Sequence, residues 1–131
     1  MRLHAYLTFT GNCRPAMEFY QRIFGGELQV QTLQDSPDAM RFSPSDQRLI
    51  VQATLSATDW KLMGSDLSDA PGNGQSVLLA MQCESAFEMQ YRFKQLAASG
   101  NIWYPPQQNK YGHWNAECTD RYGKRWMLYV I

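Results

Sequence analysis

Cysteine is scarce in this chain: three residues, Cys13, Cys83 and Cys118, at scattered spacing and with no C-x-x-C pair. An odd number so placed argues against a disulfide framework, and the missing C-x-x-C leaves no redox or zinc motif. An excess of either charge is missing too, since 12 basic residues balance 12 acidic ones and no basic run occurs. Without long-range attraction to polyanions, nucleic acid and anionic membranes are poor partners. No apolar run approaches the roughly 18 residues that suggest a membrane span. The opening MRLHAYLTFTGN alternates apolar and polar where a secretory leader would be continuously apolar. A soluble, cytoplasmic protein is the expectation. The only G-x-G, Gly72-Asn73-Gly74, follows Pro71 and precedes a strand-like run. It reads as a turn, because a nucleotide loop follows a strand and opens a helix.

What is present is periodicity. A length of 131 residues fits one domain, large enough to bury about two-thirds of its unfolded surface. Residues 3–10 alternate like a strand, Leu3, Ala5, Leu7 and Phe9 against His4, Tyr6, Thr8 and Thr10. Pro15 suits a first helical turn, and Ala16, Phe19, Tyr20, Ile23 and Phe24 then make one apolar helical stripe that Gly25-Gly26 should stop. Strands are predicted at 28–33, 48–55 and 60–64, with residues 34–48 a polar loop or lid. Pro71 to Gly74 is a turn cluster that separates a first module, 1–70, from a second, 75–131. There, 77–83 reads as a central strand, and Ser85 with Glu88 makes a capping box for a helix carrying Ala86, Met89, Phe93, Leu96 and Ala97. A short strand, 102–104, should end at Pro105-Pro106. Two last strands, 111–118 and 125–131, join through Asp120 to Gly123. Cys13, Ala16, Met17 and Glu18 recur 70 residues later as Cys83, Ala86, Phe87 and Glu88. Self-similarity of this kind, with the same element order, predicts an α+β protein of two βαβββ modules.

The segments YLTFTGNCRPAMEFYQRIFGGEL, LMGSD and HWNAECTDRYGKRWM together resemble the vicinal-oxygen-chelate superfamily of glyoxalases, bleomycin-resistance proteins and dioxygenases, and within it the PhnB-like branch. The resemblance covers nearly the whole chain. It implies two βαβββ modules forming a curved mixed sheet around a small-molecule cavity, commonly completed by a homodimer. In metal-dependent members, His and Glu side chains hold a divalent ion that acts as a Lewis acid. Aligned on Phe19-Tyr20, the first-strand histidine position falls on Ala5 and the last-strand glutamate on Met127, while the middle-strand positions fall near Met63 and Leu78. None of these side chains suits a hard or borderline cation. His4 is one residue from the expected ligand, which in a strand means the opposite face.

Several residues are candidates for chemistry, each with a plainer reading beside it. His113 shares a predicted strand with Tyr111, Trp114 and Glu117 and could act with Glu117 as an acid–base pair, or be a structural histidine. Gln52 stands where PhnB-like relatives often carry a histidine and could bond a ligand carbonyl or a cross-strand partner. Ser65-Asp66 is a site feature or a turn cap. Cys13 and Cys83 sit at strand-to-helix junctions, yet buried structural thiols are the commoner case. Leu7, Phe9, Trp103, Tyr111, Trp114, Met127 and Tyr129 could wall an apolar pocket, or fill core and interface. The expected function is metal-free binding of a small apolar or aromatic molecule, with no cofactor. The alternative is an isomerase, lyase or dioxygenase using a non-standard metal site or the His113/Glu117 pair.

Overall fold

The computed structural model describes residues 1–67 and 76–131. The turn cluster at Pro71 to Gly74 lies outside the described residues. The chain divides into two compact units, Met1–Gly72 and Asn73–Ile131.

The first unit runs β1 (Ala5–Thr8), α1 (Cys13–Phe24), β2 (Glu27–Thr32), β3 (Ile50–Ser56) and β4 (Lys61–Ser65). Its mixed sheet has the order β1-β4-β3-β2, with β1 parallel to β4 and the other pairs antiparallel. α1 packs on one face through the stripe expected of it, since Ala16, Phe19, Tyr20, Ile23 and Phe24 are all buried. Opposite them the sheet supplies Leu7, Ala53, Leu55 and Leu62, also buried. Gly64 is part of this fit. A Cβ there would lie 3.1–3.3 Å from Phe9, Cys13 and Met17. Residues 34–48, read as a loop or lid, hold short 3-10 turns, and Gln47 Nε2 donates to the Ala39 and Phe42 carbonyls at 3.0 Å.

The second unit repeats the order: β5 (Leu79–Gln82), α2 (Ala86–Ala97), β6 (Asn101–Gln108), β7 (Trp114–Thr119) and β8 (Arg125–Val130), with sheet order β5-β8-β7-β6. Met89, Phe93, Leu96 and Ala97 of α2 bury against Ala116, Cys118, Trp126 and Leu128. The α+β fold of two βαβββ modules is therefore observed, each with its own four-stranded sheet, neither of which closes on itself.

Several local expectations are corrected. The helices repeat at an offset of 73, from N-cap Asn12 to N-cap Ser85, and not at the 70 suggested by the matching residues. At 73, buried Ala16, Tyr20, Ile23 and Phe24 fall on buried Met89, Phe93, Leu96 and Ala97. At 70, Met17 (0% exposed) would fall on Phe87 (80%), so the residue match does not mark equivalent positions. The capping box differs by one residue: the Glu88 amide donates to Ser85 Oγ at 3.1 Å, but the Glu88 carboxylate accepts from the Glu84 amide. β5, read as central, is an edge strand of its sheet. β6 runs through Pro105-Pro106 because it too is an edge strand, and its pairing with β7 slips between Tyr104 and Gln107, where missing N–H groups cost no ladder bond. β7 starts only at Trp114, which leaves Tyr111 and His113 in the β6–β7 turn.

Candidate functional site

A strand turns successive side chains to opposite faces, so the partners of buried residues sort each sheet. In the first unit, Ala5 pairs with Leu62 and Leu7 with Gly64 on the α1 side. Leu7 and Phe9 are 9% and 4% exposed. Of the two readings open to them, wall or core, these two residues take the second and pack beneath α1. Ala5 faces the same way, so the first-strand position turned away from α1 is Tyr6, adjacent to Met63. Gln52 does lie on that face, exposed and opposite Gln31 of β2. His4 precedes β1 and is exposed. It lines a shallow surface groove of about 490 Å³ with Arg2, Leu3, Trp60 and Lys61.

The face of the second sheet turned away from α2 is richer. Ala80 pairs with Met127, Gln82 with Tyr129, Glu117 with Met127, and Asn115 with Tyr129. The register of β6 slips between Ile102 and Tyr104, because Ile102 faces Cys118 while Tyr104 faces Glu117. That extra residue is a bulge, and it lets Trp103 join Tyr104 on this face. Trp103 Nε1 donates to Thr119 Oγ1 at 2.8 Å, which fixes the indole across β7. Both aromatics stay half-exposed, at 53% and 56%. Beside them Tyr104, Gln107, Asn115, Ala116, Glu117 and Met127 line a hollow of about 210 Å³. Arg125 Nη2 donates to Glu117 Oε1 at 3.1 Å, with both side chains about four-fifths buried, and Tyr129 Oη donates to Gln82 Oε1 at 3.4 Å.

Of the expected second-module residues, the structure brings Trp103, Met127 and Tyr129 to this face. Trp114 has the parity of Ala116 and Cys118 and turns to the α2 side. Tyr111 and His113 stand exposed in the β6–β7 turn, their amides bonded to Asn109 Oδ1, with Lys110 Nζ 5.1 Å from the Tyr111 ring centre. Glu117 is engaged by Arg125, which gives the His113/Glu117 pairing no geometric support. Sequence reasoning missed Tyr104, Gln107, Asn115 and Arg125. The signal was the proline pair itself, which marks an edge strand with irregular pairing as readily as a strand end.

Ser65-Asp66 is a cap. Asp66 Oδ1 accepts from the amides of Gly11 and Cys13 at 2.8 and 3.0 Å, and Oδ2 from Ile50 at 2.8 Å. The carboxylate thereby caps α1, whose own Asn12 makes no side-chain cap bond.

The thiols are inert by burial. The Cys83 thiol is pushed up to about 11 by burial and then by Glu88, and the Cys118 thiol to about 12 by burial and then by Asp120 and Glu117. A thiol whose pKa is raised on folding keeps its proton longer in the folded state, so stability is full below the ordinary value of 9.0 and falls between pH 9 and 12. Native protein at pH 8 should react with a thiol-specific disulfide reagent at least about 100-fold more slowly than protein in denaturant. Equal rates would show the thiols to be accessible.

Among the described residues no group of three or more His, Cys, Asp or Glu side chains could hold a metal ion. At the positions where the resemblance puts metal ligands, Ala5, Met63, Leu78 and Met127 carry no side-chain oxygen or nitrogen to offer a divalent ion, and Ala5 faces α1. No helix among the described residues is long and apolar enough to cross a membrane.

Paired βαβββ units with an amphipathic sheet face define the class of glyoxalase-like folds. The chain belongs to the family described as 3-demethylubiquinone-9 3-methyltransferase, whose sequence pattern matches residues 2–129. It is 30% identical to Protein YjdN of Escherichia coli K12, over all of this chain and 96% of that protein. Among solved structures it is similar to PA1353 from Pseudomonas aeruginosa, with a TM-score of 0.82 at 28% identity over 99% of this chain and 97% of that one. The PhnB protein from Bacillus cereus, whose description carries the same methyltransferase name, matches with a TM-score of 0.78 at 22% identity over the full length of both. A glyoxalase/bleomycin resistance protein/dioxygenase family enzyme from Burkholderia phytofirmans shares the fold, with a TM-score of 0.64 at 14% identity over 97% of each chain.

Proposed function

We propose that this protein binds a small planar molecule, without a metal ion, on the face of the second sheet turned away from α2. The observation that carries the reading is the Trp103-Tyr104 bulge: both rings are half-exposed, Trp103 is tied to Thr119 of β7, and Tyr104 lines a hollow with Met127. Exposed rings held in place lose little entropy when a flat ligand stacks on them, and a thioether adapts to its edge. The side chains at the ligand positions of metal-dependent relatives support the metal-free part. Methyl transfer finds no support in the sequence, because the only G-x-G follows Pro71 and precedes a strand-like run.

The test uses naphthalene and indole as probes, followed by backbone amide shifts in two-dimensional NMR. Both should perturb amides of β6, β7 and β8, and Trp103→Ala should weaken them at least about tenfold, since a stacked ring contributes about 0.5–1.5 kcal/mol beyond its buried area. Trp103 is half-exposed, so the variant should fold. If neither probe shifts these amides up to its solubility limit, the reading is wrong.

A further inference from the structure

We infer that the ligand presents an aromatic N–H toward Glu117, so that the face selects planar nitrogen heterocycles bearing a donor over hydrocarbons, acceptor-only heterocycles and carboxylates. This rests on the reading above and goes further, from the shape of the ligand to its polarity. Besides the Tyr104 hydroxyl, which can donate or accept, three polar side chains line the hollow: Gln107, Asn115 and Glu117. The two amides each offer donor and acceptor atoms and can rotate to meet either kind of ligand. Glu117 cannot. As a carboxylate it is acceptor-only, and its single recorded partner, Arg125 Nη2, occupies Oε1. Oε2 has no hydrogen-bond partner among the described residues. It is not sealed off either, and keeps contact with solvent.

Charge sharpens the choice. No cationic side chain lines the hollow, and the guanidinium of Arg125 is turned to Glu117 from the neighbouring strand. An anionic ligand would find no cation in the wall to bind it, because the one nearby guanidinium is already paired with Glu117. A ligand without a polar edge would strip water from Oε2 and return nothing, and a pyridine-type nitrogen would set lone pair against lone pair. An N–H in the plane of a ring stacked on Tyr104 would offer Oε2 a charge-assisted hydrogen bond.

Glu117→Gln tests this directly, because glutamine can keep an acceptor oxygen toward Arg125 while its amide nitrogen replaces Oε2. The free atom changes from acceptor to donor. At mildly alkaline pH, where isoquinoline is uncharged, wild-type protein should bind indole about tenfold or more tighter than naphthalene or isoquinoline. In Glu117→Gln, indole should lose about tenfold and isoquinoline should overtake it. The wild-type order needs no variant, so misfolding of Glu117→Gln would not shield the inference. If indole and naphthalene bind wild-type protein equally, or if the substitution leaves the order unchanged, the inference is overturned while the planar-ligand reading stands. If none of the three probes shifts the strand amides, both fall.

Discussion

Asp120→Ala should destabilise the protein by about 4 kcal/mol, because a buried carboxylate that accepts three hydrogen bonds is lost and an indole N–H is left unpaired. Asp120 is 3% exposed, one of two buried polar residues among those described. Its Oδ1 accepts from the amides of Tyr122 and Lys124 at 2.8 and 3.1 Å, closing the β7–β8 turn, and its Oδ2 accepts from Trp126 Nε1 at 2.9 Å. The indole bond is the costly one to lose. Trp126 is 4% exposed, so its N–H would remain in the core without water to replace the carboxylate. Asp120→Asn should fall between, since one amide oxygen can still serve the turn while the NH₂ group faces the indole donor. Urea unfolding would read both. The substitution has a second consequence, because Asp120 also raises the Cys118 thiol: with the carboxylate gone, that thiol should titrate lower than about 12. A midpoint within error of wild type for Asp120→Ala would show that the carboxylate does not hold the turn.

The same turn explains what could be read from the sequence and what could not. Asp120-Arg121-Tyr122-Gly123 is legible as a hairpin because its chemistry is local, with Gly123 at φ 83° and a carboxylate two residues from the amide it caps. The α1 stripe is legible for the same reason, as helical periodicity needs only one segment. Asp66 was legible as a cap, but not what it caps, since its partners Gly11 and Cys13 are more than 50 residues away. Strand faces failed in a different manner. Residues 3–10 alternate apolar and less apolar on both sides, Leu7 and Phe9 against Tyr6 and Thr8, and alternation alone cannot say which side meets a helix. The candidate site depended on one more such parity choice and on a bulge. Met127 and Tyr129 share a face because β8 alternates cleanly with buried Trp126 and Leu128. Tyr104 was lost because the bulge beside Trp103 places two consecutive residues on one face, which no periodic pattern contains.

Gly100→Ala should cost about 3 kcal/mol, the upper part of the range for forcing a group into a filled space. Gly100 follows α2 and leads into β6, its amide bonded to the Ala97 carbonyl at 2.9 Å. A Cβ at this position would collide with the Thr119 carbonyl oxygen and lie 3.0–3.1 Å from backbone atoms of Asp120. Backbone cannot rotate away as a side chain would, so relief requires the start of β6 to leave β7 at the Asn101–Thr119 pair. That movement would also stretch the bond from Trp103 to Thr119 Oγ1, coupling a packing defect to the face proposed to bind ligand. Gly112→Ala separates the two ways in which a glycine can be needed. Gly112 has φ 83° and only Gln108 Nε2 at 3.6 Å, so its cost is conformational and about 1 kcal/mol. Thermal unfolding should therefore rank wild type above Gly112→Ala and both above Gly100→Ala, and Gly100→Ala alone should weaken indole binding. A Gly100→Ala protein as stable as Gly112→Ala would mean that the α2–β6 junction yields without disturbing β7, and that the Trp103 ring is not held by this contact.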